Sequence, residues 1–349
     1  MGLCEAMRSE ERGAQMLTVL HSPSRKDGLV GGAGLTRPQR WGVILAGGDG
    51  VRLRSLTQMI SGDERPKQFC PIFGRETLLE QTRRRLAHAV SRNRALVVVT
   101  RTHEPFYADD VATMDSRNLV VQPANRGTAP AILYALLRIA EAATNDLVAI
   151  LPSDHFVSDD GRFMAHVEAA FEAVTIRPEL VILLGITPDN AEVEYGWIEP
   201  ADPLLRIDSS SLHRVRRFWE KPPAALAHTL RASGCLWNSF VIVARVADLV
   251  NLIAATVPDL LDRFSSLRLR LDAACEAEAA RSVYARIPSI DFSSQVLAAR
   301  PASLAVLPVS GVAWSDLGNP GRVLATLRHR NGRTHIDVRG LAAAELSVC

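Results

Sequence analysis

Val43 to Leu56 reads VILAGGDGVRLRSL, an apolar β-branched run that breaks into Gly47, Gly48 and Gly50 and then into Arg52 and Arg54. Glycines directly after a buried strand let backbone N–H groups approach phosphate oxygens closely. Several enzyme classes use such a turn, so its surroundings must say which phosphate it serves. A dinucleotide fingerprint needs GxGxxG and an acid ending the next strand. Here the third glycine is missing and the next strand ends VVVTRT, without a carboxylate. The P-loop needs a Gly-Lys pair, which the chain lacks, and the HRD and DFG signatures of protein kinases are absent too. After the turn come Arg52 and then RPKQF with Lys67, fixed positive charge suited to a triphosphate. Read in isolation, the same residues also fit a strand–turn–helix junction with two solvated cations.

Working outward, apolar runs recur at Gly42–Ala46, Leu96–Thr100, Leu119–Val121, Leu147–Leu151 and Val181–Gly185. Helical spacing fills Thr77–Val90, Pro130–Ala143 and Phe163–Val174 between them. This alternation predicts an α/β fold with a largely parallel sheet covered on both faces. After about residue 185 the pattern changes: YGWIEP and LHRVRRFWEKPP read as strands, and Val246–Leu269 as helix with a break or start at Pro258. Residues 1–40 mix charge, Gly, Ser and Pro without period and read as a tail. The domain is expected over 41–330, with a short extension at 331–349.

Composition narrows the function. The chain has 349 residues and a net charge of +2, and no long basic run, which argues against a nucleic-acid surface. Five cysteines without a CxxC pair suggest reduced thiols and a cytoplasmic protein. No run of about 18 apolar residues predicts a membrane span. Of 40 basic residues only Lys26, Lys67 and Lys221 are lysine, so a lysine kept against that bias suits a compact point charge.

LAGGDGVRL, RPKQF, NRGTAPAI, LPSDH, YGWIEP, FWEKP, LWNS, SID and WSDLG occur in the order used by sugar-1-phosphate nucleotidyltransferases. Over roughly residues 41–330 the chain most resembles mannose-1-phosphate guanylyltransferases. That resemblance implies a Rossmann-like mixed, mostly parallel sheet of the GT-A-like type in three α/β/α layers. It implies GTP and mannose 1-phosphate as substrates and Mg2+ as cofactor, and leaves a homodimer open. The length leaves no room for the isomerase domain that some relatives carry.

The implied reaction brings two anions together, so catalysis should come from positioning and countercharge. Asp154 follows DLVAILPS and should end a strand, and Asp316 lies in AWSDLG. Aspartates at these two matching positions hold the metal in the family, and an all-oxygen pair suits Mg2+. Each can instead be a cap or turn residue. Arg52 and Lys67 would face the triphosphate, with Gly47, Gly48, Gly50 and Ser153 beside it. Lys221 would neutralise the sugar phosphate, and Glu220 would accept a sugar hydroxyl. The resemblance puts Asn125 and Thr128 near base and ribose, where either can also merely cap a helix. It puts Gly196, Glu199 and Asn238 around the sugar. His155 is expected to pack or shape the loop. Trp197 and Trp237 read equally as core or wall residues and as stacking platforms. Three departures stand out: Val51 where the family has threonine, Phe240 where it has glycine after WNS, and VLAAR after the SID segment. Two alternatives remain: another hexose phosphate or nucleotide, and a non-catalytic sugar-nucleotide sensor.

Overall fold

The computed structural model describes residues 38–141, 143–208, 210–271 and 274–329. The expected extension, and the expected tail apart from residues 38–40, lie outside these. Eleven strands are described: β1 (Arg40–Leu45), β2 (Ala95–Thr100), β3 (Leu119–Gln122), β4 (Leu147–Pro152), β5 (Phe156–Val157), β6 (Val181–Ile186), β7 (Gly196–Ile207), β8 (Ser210–Glu220), β9 (Leu236–Arg245), β10 (Leu304–Val309) and β11 (Trp314–Ser315). The helices are α1 (Arg54–Ser61), α2 (Leu78–Leu86), α3 (Glu104–Val111), α4 (Thr128–Ala140), α5 (Asp160–Ile176), α6 (Ala224–Ala232), α7 (Val246–Thr256), α8 (Pro258–Arg268), α9 (Glu276–Tyr284) and α10 (Pro320–His329).

Nine strands form one mixed sheet in the order β3-β2-β1-β4-β9-β6-β10-β8-β7, with β7 also pairing to β9. β3, β2, β1 and β4 are mutually parallel, as are β6 and β10. β9 runs antiparallel to β4 and β6 on either side of it. β5 and β11 form a separate two-stranded ribbon.

The strand sequences explain the layering. Successive side chains point to opposite faces, and a strand covered on both faces must be apolar throughout. Val43, Leu96, Val98, Val148 and Ile150 accordingly enter one core, packed with residues of α4, α7, α8 and α9. Ile44, Val97, Val99, Ala149 and Leu151 enter the other, with α2, α3 and α5. This is the expected three-layer α/β/α arrangement. A third cluster joins Leu53 and Leu56 to Phe156, Leu317, Val323, Leu324 and Leu327, which anchors the segment after the glycine turn against α10.

Local chemistry sets the helix ends. Thr77 and Glu80 form a reciprocal capping box at the start of α2. Pro258 opens α8, so the break expected inside Val246–Leu269 separates two helices. Because β1, β2, β3 and β4 are parallel, the loops after them share one edge of the sheet, where open α/β sheets bind ligands.

Candidate active site

At that edge lies a cavity of about 450 Å³. Of the residues singled out from the sequence, Gly47, Gly48, Asn125, Thr128, Asp154, Gly196, Glu220, Asn238 and Asp316 line it. The glycine turn leaves β1 and is held from below. Gln68 Nε2 donates to the carbonyls of Ala46 (3.0 Å) and Gly48 (2.7 Å), and Thr100 Oγ1 donates to that of Gly47 (2.9 Å). A side chain at Gly47 would collide with Gln122 Nε2, 2.6 Å from an ideal Cβ. Gly50 has φ of 59°, in the left-handed region that favours glycine. Val51, at the departure from the family pattern, projects into solvent.

Lys67 is buried and sits behind the metal-candidate carboxylates. Its Nζ lies 3.3 Å from Asp154 Oδ2, and donates to the carbonyl of Leu317 (3.2 Å) and to that of Asp316. Asp154 follows β4, and the next helix is capped by Asp159 instead. The capping alternative for Asp154 therefore falls. Asp316 does act in a turn, since its Oδ1 accepts the Gly318 N–H at 2.7 Å. The same oxygen accepts Arg322 Nη1 (2.8 Å) and the Tyr195 hydroxyl (3.2 Å). Burial pushes the Asp316 carboxyl pKa up, but nearby His155, Lys67 and Arg322 outweigh it and hold it below the ordinary value. All three of these donors fall on Oδ1. Among the described residues no group of three His, Cys, Asp or Glu converges on a metal position. A two-carboxylate, all-oxygen set fits a cation such as Mg2+ that draws its other ligands from phosphates and water.

His155 packs as expected. Its ring stands edge-on to Trp314 at 5.1 Å, and burial lowers its pKa to about 4, so it is neutral at pH 7. Trp197 and Trp237 are core residues. α4 starts after Gly127, and Thr128, its first residue, turns its hydroxyl to the Phe292 segment, so the cap alternative falls for Thr128, whereas Asn125 does bond the helix start. Asn125 Nδ2 donates to Asp49 Oδ2 (2.8 Å) while its Oδ1 accepts the Gly127 N–H (3.0 Å). Thr128 Oγ1 accepts the Phe292 N–H at 2.8 Å.

Gly50, Arg52, Lys67, Ser153, Glu199 and Lys221 do not line the cavity. Lys67 still reaches it through Asp154. Ser153 is buried, its N–H bonded to Leu45 and its carbonyl to Thr82. Arg52 turns toward Glu194 at 3.1 Å, with its side chain 61% exposed. Lys221 has φ of 46° and a 64% exposed side chain, with Nζ 3.6 Å from Glu220. Glu199 pairs with Arg216 on the outer part of the sheet.

The sequence pattern gives several cavity residues no role. Asp291 belongs to SID, a segment recognisable by resemblance but without an assigned role. Burial and the Asp291 charge raise the Glu220 pKa against the pull of Lys221. Glu194 and Tyr195 precede the Gly196 strand and meet Arg322, whose Nη2 reaches Glu194 Oε2 (2.7 Å) and Glu192 Oε2 (2.9 Å). The Arg322 guanidinium also lies over the Tyr195 ring at 4.4 Å.

Asp49, in the glycine turn, contacts His103 Nε2 at 3.2 Å, while His103 Nδ1 is buried without a hydrogen-bond partner among the described residues. Burial keeps the His103 pKa below its ordinary value, despite the opposing pull of Asp49. The unfolded chain therefore takes up this proton first on acidification. The stability contribution is fully present above about pH 6.5 and declines as pH falls toward the folded value. Unfolding free energies at pH 7 and pH 5 check this with His103→Phe, which keeps a ring against Phe69 at a 6.1 Å centroid separation. The variant is expected to lose less stability than the wild type over that interval; parallel losses would refute the assignment.

A family model for nucleotidyl transferases matches residues 41–329, and the chain belongs to that family. Alginate biosynthesis protein AlgA of Pseudomonas syringae pv. tomato is 29% identical over 283 residues, covering 79% of this chain and 56% of AlgA. Mannose-1-phosphate guanylyltransferase of Klebsiella pneumoniae is 30% identical over 223 residues, covering 63% of this chain and 46% of the relative. This chain thus spans about half the length of the curated relatives it matches. Among solved structures, mannose-1-phosphate geranyltransferase from Thermus thermophilus superposes with a TM-score of 0.68 at 30% identity, covering 82% of this chain and 79% of that one. Mannose-6-phosphate isomerase from Helicobacter pylori, at 18% identity and a TM-score of 0.62, shares the fold over 79% of this chain and 99% of its own. No helix among the described residues is long and apolar enough to cross a membrane.

Proposed function

We propose that this chain transfers a guanylyl group from GTP to mannose 1-phosphate, giving GDP-mannose and pyrophosphate, and that residues 41–330 carry the activity. A phosphate oxygen of the sugar phosphate forms the new bond to the α-phosphorus as the bond to the pyrophosphate oxygen breaks. The attacking oxygen is already anionic, so no general base is needed, and neutral His155 fits that economy. Asp154 and Asp316 would hold Mg2+, which when bound neutralises phosphate charge. Lys67 fixes the Asp154 carboxylate and the backbone of Asp316. Gly47 and Gly48 present an open backbone to the phosphates, and Asn125 and Thr128 lie on the same side. Gly196, Glu220 and Asn238 form the opposite wall, suited to a polyhydroxylated sugar. Free thiols at Cys70, Cys235 and Cys275 favour a cytoplasmic setting.

One observation carries the reading. A buried lysine bridges Asp154 and the Asp316 segment, which line the cavity whose walls bear both the glycine turn and the Gly196–Glu220–Asn238 group. Pyrophosphate release tests it, screened over nucleoside triphosphate and sugar 1-phosphate pairs with Mg2+, with Asp154→Asn as the inactive control. No turnover with any pair, despite nucleotide binding by calorimetry, would leave a sugar-nucleotide sensor. Turnover with UTP or ATP well above GTP would overturn the specificity alone.

A further inference from the structure

Phe240 occupies a position built for glycine. Its φ is 58°, a left-handed conformation that is costly for a bulky side chain. The β6–β9 register shifts between Leu183, opposite Ile242, and Gly185, opposite Asn238, so the strand bulges at this point. Bulges beside active sites re-aim side chains. Here the bulge is pinned on both flanks: Asn238 Oδ1 accepts the Phe240 N–H at 3.0 Å, and Ser239 Oγ accepts the Val241 N–H at 3.1 Å. The Phe240 ring lines the cavity with Asn238 and Glu220 and stands edge-on to Phe292 at 6.3 Å. Phe292 in turn is tied by its N–H to Thr128.

We propose that Phe240 sets the size limit of the sugar end, admitting an unsubstituted hexose and rejecting a hexose that carries an N-acetylamino group. The proposal rests on the sugar-nucleotide reading above. Asn238 and Glu220 can satisfy hydroxyls, but the ring beside them offers an amide neither room nor a hydrogen bond. A buried amide left unpaired is penalised far more than an apolar group of the same size. Backbone strain at a functional position persists only when the surroundings enforce it, and the pinned bulge supplies that enforcement.

Calorimetric titration of GDP-mannose and a GDP-linked N-acetylhexosamine tests this in wild type, Phe240→Gly and Phe240→Leu. The first variant relieves the backbone and empties the space; the second keeps an apolar group of intermediate size. The preference for GDP-mannose is expected to fall at least about tenfold in Phe240→Gly and less in Phe240→Leu, with GTP affinity changed less than twofold in both. An unchanged preference in either folded variant would overturn the proposal, as would a loss of GTP affinity matching the loss for both sugars. Because the readout is binding, it stands apart from pyrophosphate release: failed turnover in the wild type sinks the enzymatic reading and leaves this comparison intact.

Discussion

With Lys67 replaced by methionine, kcat/KM for pyrophosphate release is expected to fall about 10²- to 10³-fold, the usual consequence of removing one preorganised charge at a reacting centre. Methionine matches the length of the stem, so the change isolates the ammonium. In the substrate-free protein that ammonium spans Asp154 and the carbonyls of residues 316 and 317. Its loss leaves Asp154 facing the cavity without its closest cation and two carbonyls without a donor. The second effect should destabilise the fold by about 1–3 kcal/mol, which thermal unfolding reads separately. Lys67→Arg is expected to rescue poorly, since a planar fork cannot replace a point donor among three acceptors. Full activity in Lys67→Met would remove the central cation from the mechanism.

Arg322→Ala has the largest expected effect on stability, about 3–5 kcal/mol, because it strips the shared partner from the mostly buried Glu192 and Asp316 carboxylates and from the half-buried Glu194. The Arg322 side chain is 12% exposed and reaches Glu192, Glu194 and Asp316 at 2.9, 2.7 and 2.8 Å. Without it three carboxylates and the Tyr195 hydroxyl would crowd one another. Asp316 would also lose a charge that holds its pKa down. A carboxyl with a depressed folded pKa contributes stability above its unfolded pKa and loses it on acidification. The deficit of Arg322→Ala relative to wild type should therefore shrink as pH drops below about 4. Chemical denaturation at pH 7 and at acid pH measures both statements. A deficit under about 1 kcal/mol at pH 7 would show the cluster to be a solvated surface network.

Legibility in the sequence tracks locality. Continuous apolar runs mark strands covered on both faces, and helical spacing locates α2, α4 and α5 to within a few residues except at the end of α2, which stops at Leu86, short of Val90. Strand direction is not local. LWNSFVIVAR reads the same whichever way the strand runs, so β9 lying antiparallel inside the parallel region carries no signal. The same division holds in the site. Gly47 and Asp154 are legible because a strand end and a glycine turn announce themselves within a few residues. Arg322 is not, because its partner Glu194 lies 128 positions away and only the packing of α10 joins them. Arg52 and Lys221 are identifiable as charges, but the directions of their side chains depend on Glu194 and on a left-handed backbone at Lys221.

The antiparallel insertion of β9 also divides the cavity by the strands that supply its walls. Gly47, Asn125 and Asp154 hang from the ends of β1, β3 and β4, whereas Gly196, Glu220, Asn238 and Phe240 belong to β7, β8 and β9. Within the sheet the two groups join at the β4–β9 pairing, from Leu147 opposite Arg245 to Ile150 opposite Ile242. The backbone of each wall thus comes from its own set of strands, so substitutions on β7, β8 and β9 change one wall without touching the strands that carry the other.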